Sequence, residues 1–226
     1  MFVAAVIRLK LNKASVLPPY MGRSTHGCFF SLLHEADSDM AEALHKQETN
    51  WSKGFTVSSL MGLPAPMGRQ IVAPEGQGCA LRITSINSEL SQLLVEKVLP
   101  NLPDSLIIGE HIFSVEGWDT STEAHPLAGV ANPAEMAANH MLVGQTPSDR
   151  ITLRFASPTT FSSSGREMPL PLPQMVFGGY LDRWNAHVSM QLDKELRRFV
   201  EECVVVHRYN LATVPVRLEF GAPLTG

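Results

Sequence analysis

The chain has 226 residues, enough for one large domain or two domains of roughly 100 residues each, with a substantial core in either arrangement. Hydrophobic residues make up 44% of the sequence and charged residues 18%, a balance typical of a globular protein. The formal net charge of −4 does not by itself indicate a nucleic-acid-binding protein, because such proteins usually carry an excess of lysine and arginine.

The cysteine content indicates a reducing compartment. The three cysteines, Cys28, Cys79 and Cys203, are widely separated and have no CxxC spacing, so we predict neither a disulfide framework nor a zinc site, and we expect all three to be buried as small apolar residues. No group of His, Asp and Glu has the spacing of metal ligands, so we predict no cofactor. No stretch approaches the ~20 apolar residues of a membrane span. These observations predict a cytoplasmic protein with no membrane partner.

The first half of the chain alternates between strand-like and helix-like patterns. In order, the predicted elements are a strand in FVAAVIRLKLN, a helix in STHGCFFSLLHEA, a short helix in SDMAEALHK, strands in GFTVSSL and GCALRITSI, a helix in NSELSQLLVEKVL and one or two strands in SLIIGEHIFSVEGW. Ser24 is the predicted N-cap of the first helix, and Asn87 or Ser88 that of the last. The sum of these elements is typical of a ferredoxin-like domain.

The second half predicts the opening elements of another such unit. A short helix in NPAEMAANHML closes the first half, and the composition changes near Gln145. The elements that follow are a strand in DRITLRFASPTTF, a Pro-rich loop in REMPLPLP, a helix in QMVFGGYLDRWN, a helix from about Met190 to Val205 and a strand in VPVRLEF. We therefore predict an α+β protein of two tandem ferredoxin-like domains, residues 1–144 and 145–226, the second of them incomplete.

The N-terminal segment carries a local excess of positive charge. Before Glu35 the sequence contains no acidic residue, and its basic residues are Arg8, Lys10, Lys13 and Arg23. This asymmetry predicts a basic surface on a protein that is acidic as a whole.

The order of these features resembles the CRISPR-associated endoribonucleases of the RAMP superfamily that process precursor CRISPR RNA, the Cas6 family. The resemblance is carried by VIRLKL followed by HGCFFSLLHEA, by LHKQETNWSKGFTVSSL, and above all by LRFASPTTFSSSGREMPLPLPQMVFGGYLDRWN. It covers essentially the whole chain. It implies two tandem ferredoxin-like domains and CRISPR repeat RNA as the partner.

The resemblance also implies a metal-independent reaction. In such enzymes a histidine, often helped by a tyrosine and a lysine, lets the ribose 2′-hydroxyl attack the neighbouring phosphate, which leaves a 2′,3′-cyclic phosphate and a 5′-hydroxyl. The reaction needs a base for the 2′-hydroxyl proton, an acid for the leaving oxygen and a cation for the developing charge. Histidine can take either proton role near neutral pH, and lysine supplies a point charge.

The resemblance implies which residues of this chain would do the chemistry. The family histidine at the end of the second short helix corresponds to His45, and the lysine before the Phe-Thr strand corresponds to Lys53. Where some members have tyrosine, this sequence has Phe30, which cannot transfer a proton. His26 lies four residues earlier on the same helical face, so we predict that it takes the open role.

Each of these residues also has an ordinary structural interpretation. His45 fits a solvated residue at a helix C-terminus, Lys53 a surface lysine and His26 a packed histidine. An arginine in LDKELRRF is usually part of a solvated helix face. The basic residues predicted to contact RNA are Arg23, Lys10, Arg154, Arg166, Arg197 and Arg198.

The sequence allows two alternatives to an endoribonuclease. The chain could be a catalytically silent RAMP subunit that holds CRISPR RNA in an effector complex with other subunits, an interpretation favoured by Phe30 and the acidic net charge. It could also be one domain of a larger fusion protein with a further C-terminal region.

Overall fold

The structure is a computed structural model that describes residues 1–46, 53–142, 148–163 and 165–212. Contacts divide the chain into two units, of which the first comprises Met1–Thr146 and Leu181–Asp193 and the second comprises Pro147–Tyr180 and Lys194–Gly226. The domain boundary predicted between residues 144 and 145 lies outside the described residues and stays a prediction.

Strands β1 to β8 belong to the first unit and β9 and β10 to the second. Their bounds are β1 Phe2–Leu11, β2 Ser15–Leu17, β3 Phe55–Val57, β4 Ile71–Ala73, β5 Gly78–Ser85, β6 Ser105–Ile108, β7 His111–Asp119, β8 Gly129–Ala131, β9 Phe161–Ser163 and β10 Arg166–Met168.

Each α-helix overlaps a segment where the sequence predicted a helix. Their bounds are α1 Gly22–Ala36, α2 Ser38–Lys46, α3 Ser88–Leu93, α4 Pro133–Leu142, α5 Pro173–His187 and α6 Glu195–Cys203. Helix α3 continues as one π-helical turn over Leu94–Val98 and one 3-10 turn over Leu99–Asn101. Among the described residues, no helix is long and apolar enough to cross a membrane.

The main sheet has the strand order of a ferredoxin-like domain. Its path is β3-β5-β1-β7-β6, and every pairing along it is antiparallel. The four principal strands of the sheet are, in chain order, β1, β3, β5 and β7. Helices α1 and α2 lie between β1 and β3, a connection that contains β4 but no α-helix joins β3 to β5, and α3 lies between β5 and β7, which agrees with the predicted order of strands and helices. Strand β8 pairs with the first residues of β1. The predicted ferredoxin-like topology of the first unit is therefore confirmed.

The core lies between one face of this sheet and the helices. In β1, Ile7, Leu9 and Leu11 are buried whereas Arg8 and Lys10 are exposed, which confirms the predicted alternation. The helices contribute the apolar residues that face this sheet surface. Those that are fully buried are Phe29 and Leu33 of α1, and Leu90, Leu94 and Leu99 of α3 and the turns that continue it.

The helix caps were predicted with mixed success. Asn87 caps α3, since its Oδ1 accepts a hydrogen bond of 2.9 Å from the Leu90 backbone N–H. Ser24 is not the cap of α1, because the helix begins at Gly22 with Met21 in the N-cap position. The apolar residues of this segment favour an earlier start, since Met21 itself is buried in the core.

Two predicted elements of the second half differ from the structure: a strand that does not form and a helix that begins later than predicted. The strand expected over 149–161 is absent from the described residues 148–160, and a hairpin of β9 and β10 follows instead. Pro158 removes a backbone donor from that stretch, which disfavours a paired strand. Helix α6 begins only at Glu195, because the Leu192 backbone N–H donates to Asn185 Oδ1 at 2.8 Å instead of joining a helix. The strand predicted in VPVRLEF lies outside the described residues.

Candidate active site

Helix α1 places His26 and Phe30 on one face, because residues four apart are neighbours on an α-helix. Their ring centroids are 4.8 Å apart. Helix α2 begins at Ser38, directly after Asp37. Asp37 caps its first turn by accepting a 2.9 Å hydrogen bond from the Met40 backbone N–H. At its other end, the imidazole of His45 lies edge-on to Phe30, with centroids 5.8 Å apart. The two histidines therefore contact the same phenyl ring.

Strand β3 brings the lysine to the same cluster. Its first residue, Phe55, is buried, and its ring lies 6.1 Å from that of His26 and 6.0 Å from that of Phe30. Lys53 is half-buried two residues earlier, where the chain enters the edge of the sheet. The connection between α2 and Lys53 lies outside the described residues.

The imidazole of His26 is influenced by the charges of both other groups. Burial lowers the pKa of the His26 imidazole below its usual value, and the positive charges of Lys53 and then His45 lower it further. An imidazole with a lowered pKa is neutral at neutral pH and can accept a proton. The arrangement therefore offers a neutral base, a second, exposed imidazole and a cation within one cluster.

The structure thus brings together His26, His45 and Lys53, which the sequence analysis selected as catalytic, and places Phe30 against both histidines. Their catalytic roles stay predictions. Sequence reasoning assigned no role to His187, whose ring lies against Gly54, the residue after Lys53. A glycine immediately before a buried strand was the only sequence signal of that contact.

The predicted RNA contacts of the first unit do not share one face. Lys10 is exposed on the face of the sheet opposite the core, in a shallow depression that Arg8 and Glu116 also line. Arg8 is paired there with Asp119. Arg23 is exposed on the first turn of α1, on the side of the sheet that carries His26. RNA binding by these residues stays a prediction, but Lys10 and Arg23 do not lie on the same face.

The other predicted RNA contacts belong to the second unit. Arg154 is exposed, and Arg166 lies in β10. Arg197 donates to the Gly178 carbonyl oxygen at 3.5 Å. Arg198 forms ion pairs along α6 with Glu202 at 2.8 Å and Glu195 at 4.0 Å, which fits the alternative interpretation of a solvated helix face.

The cysteines differ in their exposure. Cys28 and Cys79 are buried as predicted, whereas Cys203 is exposed, because α6 buries none of its residues. All three are free thiols. Within the described ranges, no group of three or more His, Cys, Asp or Glu side chains is placed to hold a metal ion.

The first unit is a ferredoxin-like domain of an α+β protein, with two histidines and a lysine clustered beside its edge strand. The family described as CRISPR-associated endoribonuclease Cas6 matches residues 153–221. That match contains the whole segment LRFASPTTFSSSGREMPLPLPQMVFGGYLDRWN, the most specific part of the resemblance.

Solved Cas6 structures match nearly the whole chain. The product complex of a Thermus thermophilus Cas6 is 30% identical with a TM-score of 0.67, over 89% of this chain and 73% of that one. The product complex of a second Thermus Cas6 is 25% identical with a TM-score of 0.70, over 97% of this chain and 78% of that one. No curated protein matches the chain at significant similarity. The chain belongs to the Cas6 family, and the predicted α+β fold of tandem ferredoxin-like domains is confirmed.

Proposed function

We propose that this chain is an endoribonuclease that cleaves CRISPR repeat RNA without a metal ion. The observation that carries the proposal is the cluster itself: His26 and His45 contact one phenyl ring, and the charge of Lys53 acts on His26. Membership of the Cas6 family supports the same function, since the matched family is described as a CRISPR-associated endoribonuclease.

The residues supply what an internal displacement at phosphorus requires. A base takes the proton of the ribose 2′-hydroxyl, the 2′-oxygen forms a bond to phosphorus, and the bond from phosphorus to the 5′-oxygen breaks. An acid then protonates the leaving 5′-oxygen. His26 is suited to act as the base because its lowered pKa keeps it neutral, and His45 supplies the acid. Lys53 stabilises the charge that develops on the phosphate oxygens.

The test is to incubate the full chain with its own repeat RNA in excess EDTA and to map both new ends. We expect unchanged cleavage, a 2′,3′-cyclic phosphate upstream and a 5′-hydroxyl downstream. The matched control is the same RNA with a single 2′-deoxynucleotide at the scissile position, which should bind and remain intact. Cleavage that needs Mg²⁺, or that leaves a 5′-phosphate, would contradict the proposal.

The second candidate function is a RAMP subunit that binds CRISPR RNA and does not cut it, within an effector complex or as part of a larger polypeptide. Phe30 favours it, because phenylalanine stands where the resemblance implies tyrosine and cannot transfer a proton. The same assay separates the two functions, since a silent subunit would retain the repeat RNA intact at every pH. Partner subunits and a cytoplasmic location remain predictions of the sequence.

A further inference from the structure

Gly54 is the residue between Lys53 and the buried Phe55, and it behaves as part of the edge strand. Its carbonyl oxygen accepts a 2.7 Å hydrogen bond from the Ile86 backbone N–H. This bond extends the pairing of β3 with β5 by one residue beyond Phe55 and Ser85. Successive strand residues point to opposite faces, so Lys53 and Phe55 share the face of His26 and Gly54 faces the other way.

The imidazole of His187 covers that other face. A Cβ atom built on Gly54 would lie 2.9 Å from Nδ1, from Cε1 and from Nε2 of His187. Three equal distances mean that the face of the ring, rather than its edge, lies over the glycine. Any larger residue at position 54 would collide with the ring. The strand is therefore held between Phe55 packing on one side and His187 on the other.

His187 itself is held firmly at the end of α5. Trp184 Nε1–H donates to the Met190 carbonyl oxygen at 2.7 Å, and the Asn185 side chain bonds twice to the backbone of Leu192, at 2.8 and 3.0 Å. The ring of Phe2 in β1 meets Trp184 edge-on, with centroids 5.6 Å apart. The residues around His187 are thus hydrogen-bonded to each other, and Trp184 packs against the central strand β1.

The contact with Gly54 is made by the ring face and not by a hydrogen bond. His187 Nε2 is shielded from solvent and has no hydrogen-bond partner among the described residues. A shielded polar atom without a hydrogen-bond partner lowers the stability of the fold. An apolar ring of similar shape should therefore fill the same space without lowering that stability further. This distinction decides which substitution of His187 should preserve its role.

We propose that His187 is a positioning residue for Lys53. By covering Gly54, its ring fixes the strand residue next to the lysine and so fixes where the Lys53 ammonium stands relative to His26 and the scissile phosphate. This inference rests on the proposed function, in which Lys53 stabilises the charge on the phosphate.

The kinetic test is a double-mutant cycle on the full chain with repeat RNA. His187→Ala should lower the single-turnover cleavage rate by about 10-fold to 10²-fold with unchanged RNA affinity, because a small misplacement of a catalytic group has that effect. In a Lys53→Ala background, His187→Ala should have no further effect. His187→Phe, which keeps a ring over Gly54, should cleave nearly as fast as the unaltered chain. His207→Ala, which removes an exposed histidine of the second unit, is the matched control.

A second measurement needs no RNA. Because the charge of Lys53 lowers the pKa of His26, that pKa reports where the ammonium stands. Histidine NMR titrations, with the His26 signal assigned from His26→Gln, should show the pKa of His26 rising in Lys53→Ala, rising in His187→Ala and unchanged in His187→Phe. If His187→Ala fails to fold, Gly54→Ala displaces the ring and should raise the same pKa.

The outcomes separate this inference from the proposed function. An unchanged His26 titration in His187→Ala or Gly54→Ala, or additive losses of rate with Lys53→Ala, would overturn the positioning role alone. Full cleavage by Lys53→Ala would instead remove the proposed role of Lys53 and the inference with it. If the unaltered chain does not cleave, the titration still decides whether His187 positions Lys53.

Discussion

The imidazole of His45 meets the ring of Phe30 edge-on, with centroids 5.8 Å apart and planes at 86°, and the same phenyl ring lies 4.8 Å from His26. One apolar side chain therefore contacts two groups that could exchange protons with an RNA substrate. A base and an acid that serve different oxygens of one phosphate must both reach that phosphate, and contact with a shared ring places His26 and His45 in one cluster.

Replacing His45 should stop most of the chemistry without releasing the RNA. We expect His45→Ala to lower single-turnover cleavage by about 10² to 10⁴-fold, the usual effect of losing a general acid or base, with nearly unchanged RNA affinity. His34→Ala is the control, because His34 is exposed at the end of α1. Full activity of His45→Ala would rule out its catalytic role.

The pH dependence should identify His26 as the base. Burial first, and then the charges of Lys53 and His45, lower the pKa of His26 below its usual 6.5, so the neutral form persists to lower pH. The cleavage rate should fall on the acid side as His26 becomes protonated, with an inflection below that value. His26→Ala should abolish this inflection and Lys53→Ala should move it to higher pH. A profile that is unaltered in both variants would show that His26 only packs.

A tyrosine at position 30 should partly replace His26. The centroids of His26 and Phe30 are 4.8 Å apart on one face of α1, so a hydroxyl at position 30 would stand close to the His26 imidazole. We expect Phe30→Tyr to raise the cleavage rate of His26→Ala and to shift its optimum to higher pH, since tyrosine has a pKa near 10. Single-turnover rates of the two variants and their combination measure the rescue. Equal rates with and without the tyrosine would mean that position 30 does not reach the ribose.

Local sequence patterns predicted a strand or a helix start correctly where the pattern itself determines the structure, as in an apolar and polar alternation or a capping residue. The alternation of Ile7 and Leu9 with Arg8 predicted both the strand and its buried face, and Asn87 marked the start of α3. The pattern in ITLRF is equally strand-like, yet those residues form no strand, because a strand also needs a partner that local sequence does not specify.

The site could be predicted only through the resemblance to a family. His26 and Phe30 are neighbours by helix geometry alone, but Lys53 reaches them through the pairing of β3 with β5, which is a tertiary contact. The contact of His187 with Gly54 joins residues more than a hundred positions apart, and no periodicity in either segment indicates it.

The salt dependence of RNA binding should show which basic face is used. Arg23 lies three residues before His26 on α1, whereas Lys10 lies on the opposite face of the sheet. Each lost phosphate contact reduces the slope of log affinity against log salt by about one. We predict this reduction of the slope for both Arg23→Ala and Lys10→Ala. Reductions in both variants would mean that the RNA contacts both faces of the sheet. An unchanged slope in Lys10→Ala alone would confine the RNA to the helical side.

Thiol reactivity should report whether the core around the site is closed. Burial raises the pKa of the Cys79 thiol to about 11, and burial followed by the charge of Glu35 does the same for Cys28, so both remain protonated and unreactive near neutral pH. Cys203 is exposed on α6. Iodoacetamide should therefore label Cys203 alone in the native protein and all three cysteines in denaturant, as measured by peptide mass spectrometry. Because Cys28 follows His26 by two residues on α1, native labelling of Cys28 as fast as Cys203 would mean that the helix carrying His26 is not packed as described.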